Sequence, residues 1–125
     1  SAHAAAYPEE GINALDGVIQ TFNSINALRQ HLRQDVRVHG IITEGGIAPN
    51  IVPARAVCHF YIRAEDLPTL HEVKRRVIAG AEGAALAAEQ GSIMQARQAF
   101  FMSRSRKASL ARVCMSAMPR RWRPR

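Results

Sequence analysis

The 125 residues suffice for one domain, and a composition of 47% hydrophobic and 22% charged residues is that of an ordinary globular chain. No apolar run approaches a membrane span, no charged-then-apolar leader opens the chain, and two distant cysteines, Cys58 and Cys114, form neither a metal spacing nor a disulfide framework. A cytoplasmic setting without membrane contact is the expectation, and both thiols are expected to be free. The net charge of +7 is unevenly placed: residues 1–88 carry eight Lys/Arg against nine Asp/Glu, whereas residues 89–125 carry nine against one.

The chain opens at Ser1-Ala2-His3 without an initiator Met, as a processed product or fragment would. Pro8, Glu9 and Glu10 resemble a helix entry, because proline is tolerated in the first turn and carboxylates favour the positive end of the helix dipole. From Ile12 onward Leu15, Val18, Ile19, Phe22, Ile25, Leu28 and Leu32 recur at helical spacing. Asp35 ends that period. Val36 to Thr43 then alternates as a strand, with Val36, Val38 and Ile42 on one side and Arg37, His39, Ile41 and Thr43 on the other.

Gly45, Gly46, Pro49 and Pro53 punctuate the next stretch, so it is expected to be a loop with Asn50 held between two prolines. Val57 to Ala64 is a second strand, with Cys58, Phe60 and Ile62 on its inner face and Val57, His59, Tyr61 and Arg63 on its outer face. Asn50 and Arg63 thus stand at either end of one loop-strand unit. A carboxamide donor and a planar guanidinium suit the binding of a carboxylate, although an arginine at a strand end is ordinarily a solvated charge.

Asp66 is positioned as an N-cap before Leu67 and Pro68, and Leu70, Val73, Val77, Ala81 and Ala84 mark a second amphipathic helix ending near Ala88. Glu72 and Arg76 are spaced for an i to i+4 pair. The order helix, strand, strand, helix is an α+β arrangement, an incomplete ferredoxin-like βαββαβ sandwich of two helices on an antiparallel strand pair. After Ala88 the period fades, and residues 89–125 are expected to be a disordered basic tail separate from a domain over 1–88. His39 and His59, on outward strand faces with no partner at ligand spacing, are expected on the surface, and His31 and His71 fall on helices, carry no motif and are assigned no role.

The segments His3-Ala-Ala-Ala-Tyr-Pro-Glu-Glu-Gly-Ile-Asn-Ala-Leu-Asp16 and Gly45-Gly-Ile-Ala-Pro-Asn50-Ile-Val-Pro53, with the strand ending at Arg63, resemble the lid, or dimerisation, domain of the M20 metal-dependent peptidases and amidohydrolases. The likeness covers residues 1 to about 88 and is nearest the aminoacylase-like and aminobenzoyl-glutamate-hydrolase-like branch. It implies that His3 reaches into a partner's active site to stabilise an oxyanion, and that Asn50 and Arg63 hold the substrate carboxylate. It also implies a homodimer through the first helix and the Val36–Thr43 strand, beside a catalytic domain holding two divalent metals, commonly zinc. The metal ligands and general base of that family do not occur here, and Ala54-Arg55 stands where an acidic residue is common. The chain is therefore expected to bind no cofactor and to hydrolyse nothing alone. The alternative from composition is a small nucleic-acid-binding protein acting through Arg97 to Arg125 and Trp122, the less favoured reading because a charge run is more often only solvated.

Overall fold

The computed structural model describes residues 12–88, 97–102 and 109–117, with the backbone alone for 97–102. Helix α1 (Ala14–Arg29) is capped by Asn13, whose side-chain oxygen accepts from the Leu15 N–H at 3.0 Å. Its buried stripe is Ala14, Gly17, Val18, Thr21 and Ile25. The Thr21 hydroxyl is buried there and donates to the Gly17 carbonyl at 2.8 Å, so it enters the core without an unmet hydrogen bond. Pro8, Glu9 and Glu10 lie outside the described residues.

Strand β1 (Arg37–Glu44) and strand β2 (Ala56–Ala64) form the expected antiparallel pair, running from Arg37 opposite Arg63 to Glu44 opposite Val57. Alternation acts as the sequence indicates: Ala56, Cys58, Phe60, Ile62 and Ala64 on β2 are fully buried beneath the helices. Phe60 packs against Phe22 of α1 with ring centroids 4.8 Å apart. Gly40 lies opposite Phe60, and a Cβ there would stand 2.2 Å from the Phe60 ring, so only glycine lets that ring lie across β1. The loop after β1 turns at Gly46, whose φ of 122° favours glycine.

Helix α2 (Leu67–Ala87) follows with Pro68 in its first turn. Asp66 caps it, accepting from the Thr69 N–H at 2.7 Å and the Thr69 hydroxyl at 2.9 Å. Those bonds, the backbone one first, hold the Asp66 carboxyl below its ordinary range. The cap therefore contributes fully above the unfolded carboxylate pKa and is lost as pH falls through the lowered folded value. The expected Glu72 to Arg76 pair is not the one formed. Glu72 instead takes the fork of Arg75, with nitrogen-to-oxygen distances of 3.0 and 2.9 Å, because a bidentate geometry is reachable one residue earlier on the same helix face.

The tail departs most from expectation. Residues Arg97–Met102 form β3 and Ser109–Ala117 form β4, giving a four-stranded antiparallel sheet of order β1-β2-β4-β3. Strand β4 pairs with β2 from Ala56 opposite Ala117 to Ala64 opposite Ser109. It occupies the central place that the ferredoxin-like order gives to a first strand. The α+β, ferredoxin-like class is borne out, but the sheet is not limited to two strands, and disorder does not extend over 97–102 and 109–117. The physical reason is a period of two: Ala111, Val113, Met115 and Ala117 point into the core, while Arg112 is exposed. Pairing also satisfies the second edge of β2, whose inner face needs apolar cover. Residues 89–96, 103–108 and 118–125, with Trp122, lie outside the described residues.

Cys58 is buried in this core, and burial first, with Cys114 nearby second, pushes its thiol pKa up to about 12. Both cysteines are free. No helix among the described residues is long and apolar enough to cross a membrane.

Candidate functional site

The helices cover one face of the sheet, and the candidate site lies on the other. Side chains of odd-numbered residues on β1 and β2 reach that outer face, where register brings Arg37 opposite Arg63 and His39 opposite Tyr61. On the other side of β2, Arg63 is opposite Leu110 of β4. These five residues line a cavity of about 330 Å³. All five lie on strands, so the side chains are presented by a rigid element rather than a loop.

Arg63 is exposed and, among the described residues, has no hydrogen-bond or ion-pair partner. Its five N–H donors are available to an incoming anion. Arg37 is partly committed: one terminal nitrogen donates to the Val36 carbonyl at 2.8 Å and also to the Gln34 carbonyl. Its other nitrogens have no acidic partner among the described residues. Next along the same face, Arg112 Nη2 donates to His59 Nδ1 at 3.0 Å, which requires a neutral imidazole with its proton on Nε2. The sequence alone indicates no partner for His59. The partner comes from β4.

Asn50 is placed elsewhere. It is exposed in a turn closed by the Ile51 N–H on the Ala48 carbonyl at 3.1 Å, following Pro49 in the order favoured at turn corners. That role accounts for the residue locally. The loop is tied to the start of α1 by the Ala14 N–H on the Pro53 carbonyl at 3.0 Å. A second cavity of about 390 Å³ lies there, lined by Asn13, Leu15 and loop residues, but Asn50 does not line it. Arg55, in the position where an acidic residue is common, pairs with Glu44 at the end of β1.

Asn50 and Arg63 are therefore not brought together within one chain. The loop joins the end of the ladder at which Glu44 meets Val57, and Arg63 is at the other end. From Val57 to Arg63 a strand advances roughly 20 Å. His3 lies outside the described residues. Sequence reasoning singles out Arg63 but misses Arg37 and Leu110. Parity alone indicates that Arg37 faces outward; its place opposite Arg63 depends on the register, and Leu110 on a strand pairing distant in sequence.

Among the described residues no three of His, Cys, Asp and Glu stand close enough to share a metal ion. The arrangement can bind and orient an anion.

Comparison with known proteins gives this face a setting. The peptidase dimerisation domain family of the M20 peptidases matches residues 1–89. The chain is 40% identical over 87 residues to the Xaa-Arg dipeptidase of Mus musculus, covering 70% of this chain and 20% of that protein. It is 42% identical over 90 residues to a p-aminobenzoyl-glutamate hydrolase component of Escherichia coli (strain K12), covering 71% of this chain and 19% of that protein. The human Xaa-Arg dipeptidase is 38% identical over 87 residues. The chain thus spans about one fifth of the length of the relatives it matches, and β3 and β4 lie beyond the family match. With the match covering most of its length, this chain belongs to the M20 peptidase dimerisation domain family.

Proposed function

We propose that the chain is the lid and dimerisation part of a metal-dependent hydrolase of amide C–N bonds, binding substrate without cleaving it. The observation that carries this reading is Arg63, without a partner among the described residues, in a cavity on the sheet face that the helices leave uncovered. In this reading Arg63 takes the substrate carboxylate through two parallel N–H to oxygen bonds. The divalent metals, zinc by resemblance, and the general base belong to a catalytic domain outside these residues.

Two protomers pair through α1 and β1. Strand β1 is an edge of the sheet, and Ile19 on α1 and Ile41 and Ile42 on β1 are exposed apolar residues on those two elements. The loop that carries Asn50 joins the ladder at its Val57 end, roughly 20 Å from Arg63, which sets the two residues apart. Asn50 in our reading serves the partner's site, as His3 does, with His3 donating to the oxyanion formed at the scissile amide. A reducing compartment such as the cytoplasm accords with two free cysteines.

Isolated, the chain is expected to carry no stoichiometric zinc or manganese and to leave N-acyl amino acids intact. Elemental analysis of the purified protein with a hydrolysis assay checks this. One tightly bound metal per chain together with amide cleavage would contradict the division of labour.

A further inference from the structure

The outer face of the sheet carries a ring at its middle and positive charge around it. Register sets His39, Tyr61 and Arg112 side by side in one row across β1, β2 and β4, and Arg37, Arg63 and Leu110 in the next row, two residues along each strand. Neighbours within a row stand roughly 5 Å apart and the rows roughly 7 Å apart. Tyr61 is 48% exposed on β2, an inner strand of the sheet. Neither row contains a carboxylate. Glu65 lies past the end of β2 and forms no ion pair with Arg63 among the described residues, and Glu44, at the far end of β1, is held by Arg55. Arg37 and Arg63, directly opposite one another, repel until an anion covers them.

Three arginines without an acid suit an anion of several charges, and the row through Tyr61 narrows its chemistry. Imidazole, phenol ring and guanidinium are planar groups, and an exposed aromatic ring on an inner strand is a platform on which an unpaired base can stack. An acidic peptide would answer the charges and leave the ring unused. A duplex keeps its base faces covered. We infer that this face binds single-stranded nucleic acid, with a base stacked on Tyr61 and neighbouring phosphates on Arg63, Arg37 and Arg112. The inference goes beyond the carboxylate reading of Arg63 and does not depend on it. Arg112 keeps donors for a phosphate, since among the described residues only its Nη2 is engaged, by His59 Nδ1. Arg37, held at one terminal nitrogen by the Val36 and Gln34 carbonyls, keeps Nε and the other terminal nitrogen. The site is a surface of the fold and not a run of charge, because the pairing of β4 with β2 is what sets Arg112 beside Tyr61.

The test is fluorescence anisotropy on the full 125-residue chain at low ionic strength, with a labelled ten-nucleotide oligoadenylate and an abasic strand of the same backbone and length. The oligoadenylate is expected to bind about tenfold more tightly than the abasic strand, a comparison that needs no variant. Tyr61→Ala should weaken the oligoadenylate by about tenfold and the abasic strand little, and Tyr61→Phe should keep the preference. Arg63→Gln and Arg112→Gln should weaken both strands, each lowering the slope of log affinity against log salt by about 0.7. All three positions are exposed, and an otherwise unchanged amide spectrum verifies the fold of each variant. Equal affinity for the two strands, or an oligoadenylate affinity indifferent to Tyr61→Ala, overturns the inference. Binding that is lost when Arg120, Arg121 and Arg123 are together changed to glutamine, and unaltered by every substitution on the sheet, overturns it too, because the contact then belongs to the terminal arginines alone. So does the absence of binding.

Discussion

Val113→Asp is expected to remove a large part of the stability of the fold. Val113 is fully buried on β4, opposite Phe60 of β2, with Ala111 and Met115 flanking it on the same inner face. An aspartate there loses the packing of two methyl groups and places a carboxylate where no cation or donor awaits it. Removal of such apolar volume together with burial of an unpaired polar group costs about 3 to 5 kcal/mol, against a total stability of roughly 5 to 15 kcal/mol for a domain. The melting temperature should fall by roughly 15 to 30 °C.

Thiol chemistry reports the same event. In the folded chain Cys58 is buried with its pKa pushed up to about 12, so a thiol reagent at mildly alkaline pH should spare it and label Cys114 first. In Val113→Asp both should react. Arg112→Gln, one residue away but exposed, is the control and should leave Cys58 protected. If Val113→Asp melts within a few degrees of the parent and still protects Cys58, β4 is not part of the core.

The second large effect concerns the intact hydrolase in which this domain would act. Arg63→Ala should raise KM by about a hundredfold or more with little change in kcat, because a bidentate charged contact to a non-reacting carboxylate serves ground state and transition state alike. His3→Ala should do the reverse, lowering kcat by about two to three orders of magnitude as loss of an oxyanion donor does. Steady-state kinetics on both variants separates the roles. Equal effects of both changes on folding alone, with kinetic constants per folded molecule unaltered, would remove them.

Much of the fold is legible in the sequence because its elements have strong contrast. The stripe of Val18, Ile25 and their neighbours on α1, the alternation of Cys58, Phe60 and Ile62 on β2, and the Asp66 cap of α2 each state their structure within one window. Strand β4 has the same period but little contrast. Its inward residues include two alanines and a methionine, its outward ones include Ser116 and Cys114, and nearby arginines dominate the composition. Residues of low strand propensity form a strand here because β2 offers a partner, a tertiary cause invisible in a local window.

The site divides in the same way. The outward direction of Arg63 follows from parity alone. Its pairing with Arg37 depends on how the loop between β1 and β2 sets the register, and its separation from Asn50 follows from the length of the ladder. Closeness along the chain suggests a joint grip that a rigid strand between the two residues prevents. Conversely, Leu110 and Arg112 reach the face from a segment that charge counting alone assigns to a tail.

Pairing of the domain with a second copy, through α1 and the free edge of β1, is tested most directly by sedimentation equilibrium on the purified chain. A mass twice the 13.8 kDa of one chain is expected. A return to the monomer is expected when exposed Ile19 and Ile42 are both changed to lysine, since the two are 42% and 44% exposed in the single chain and lie on the pairing elements. A monomeric mass for the parent chain throughout the accessible concentration range, or a dimer indifferent to both lysines, would contradict it.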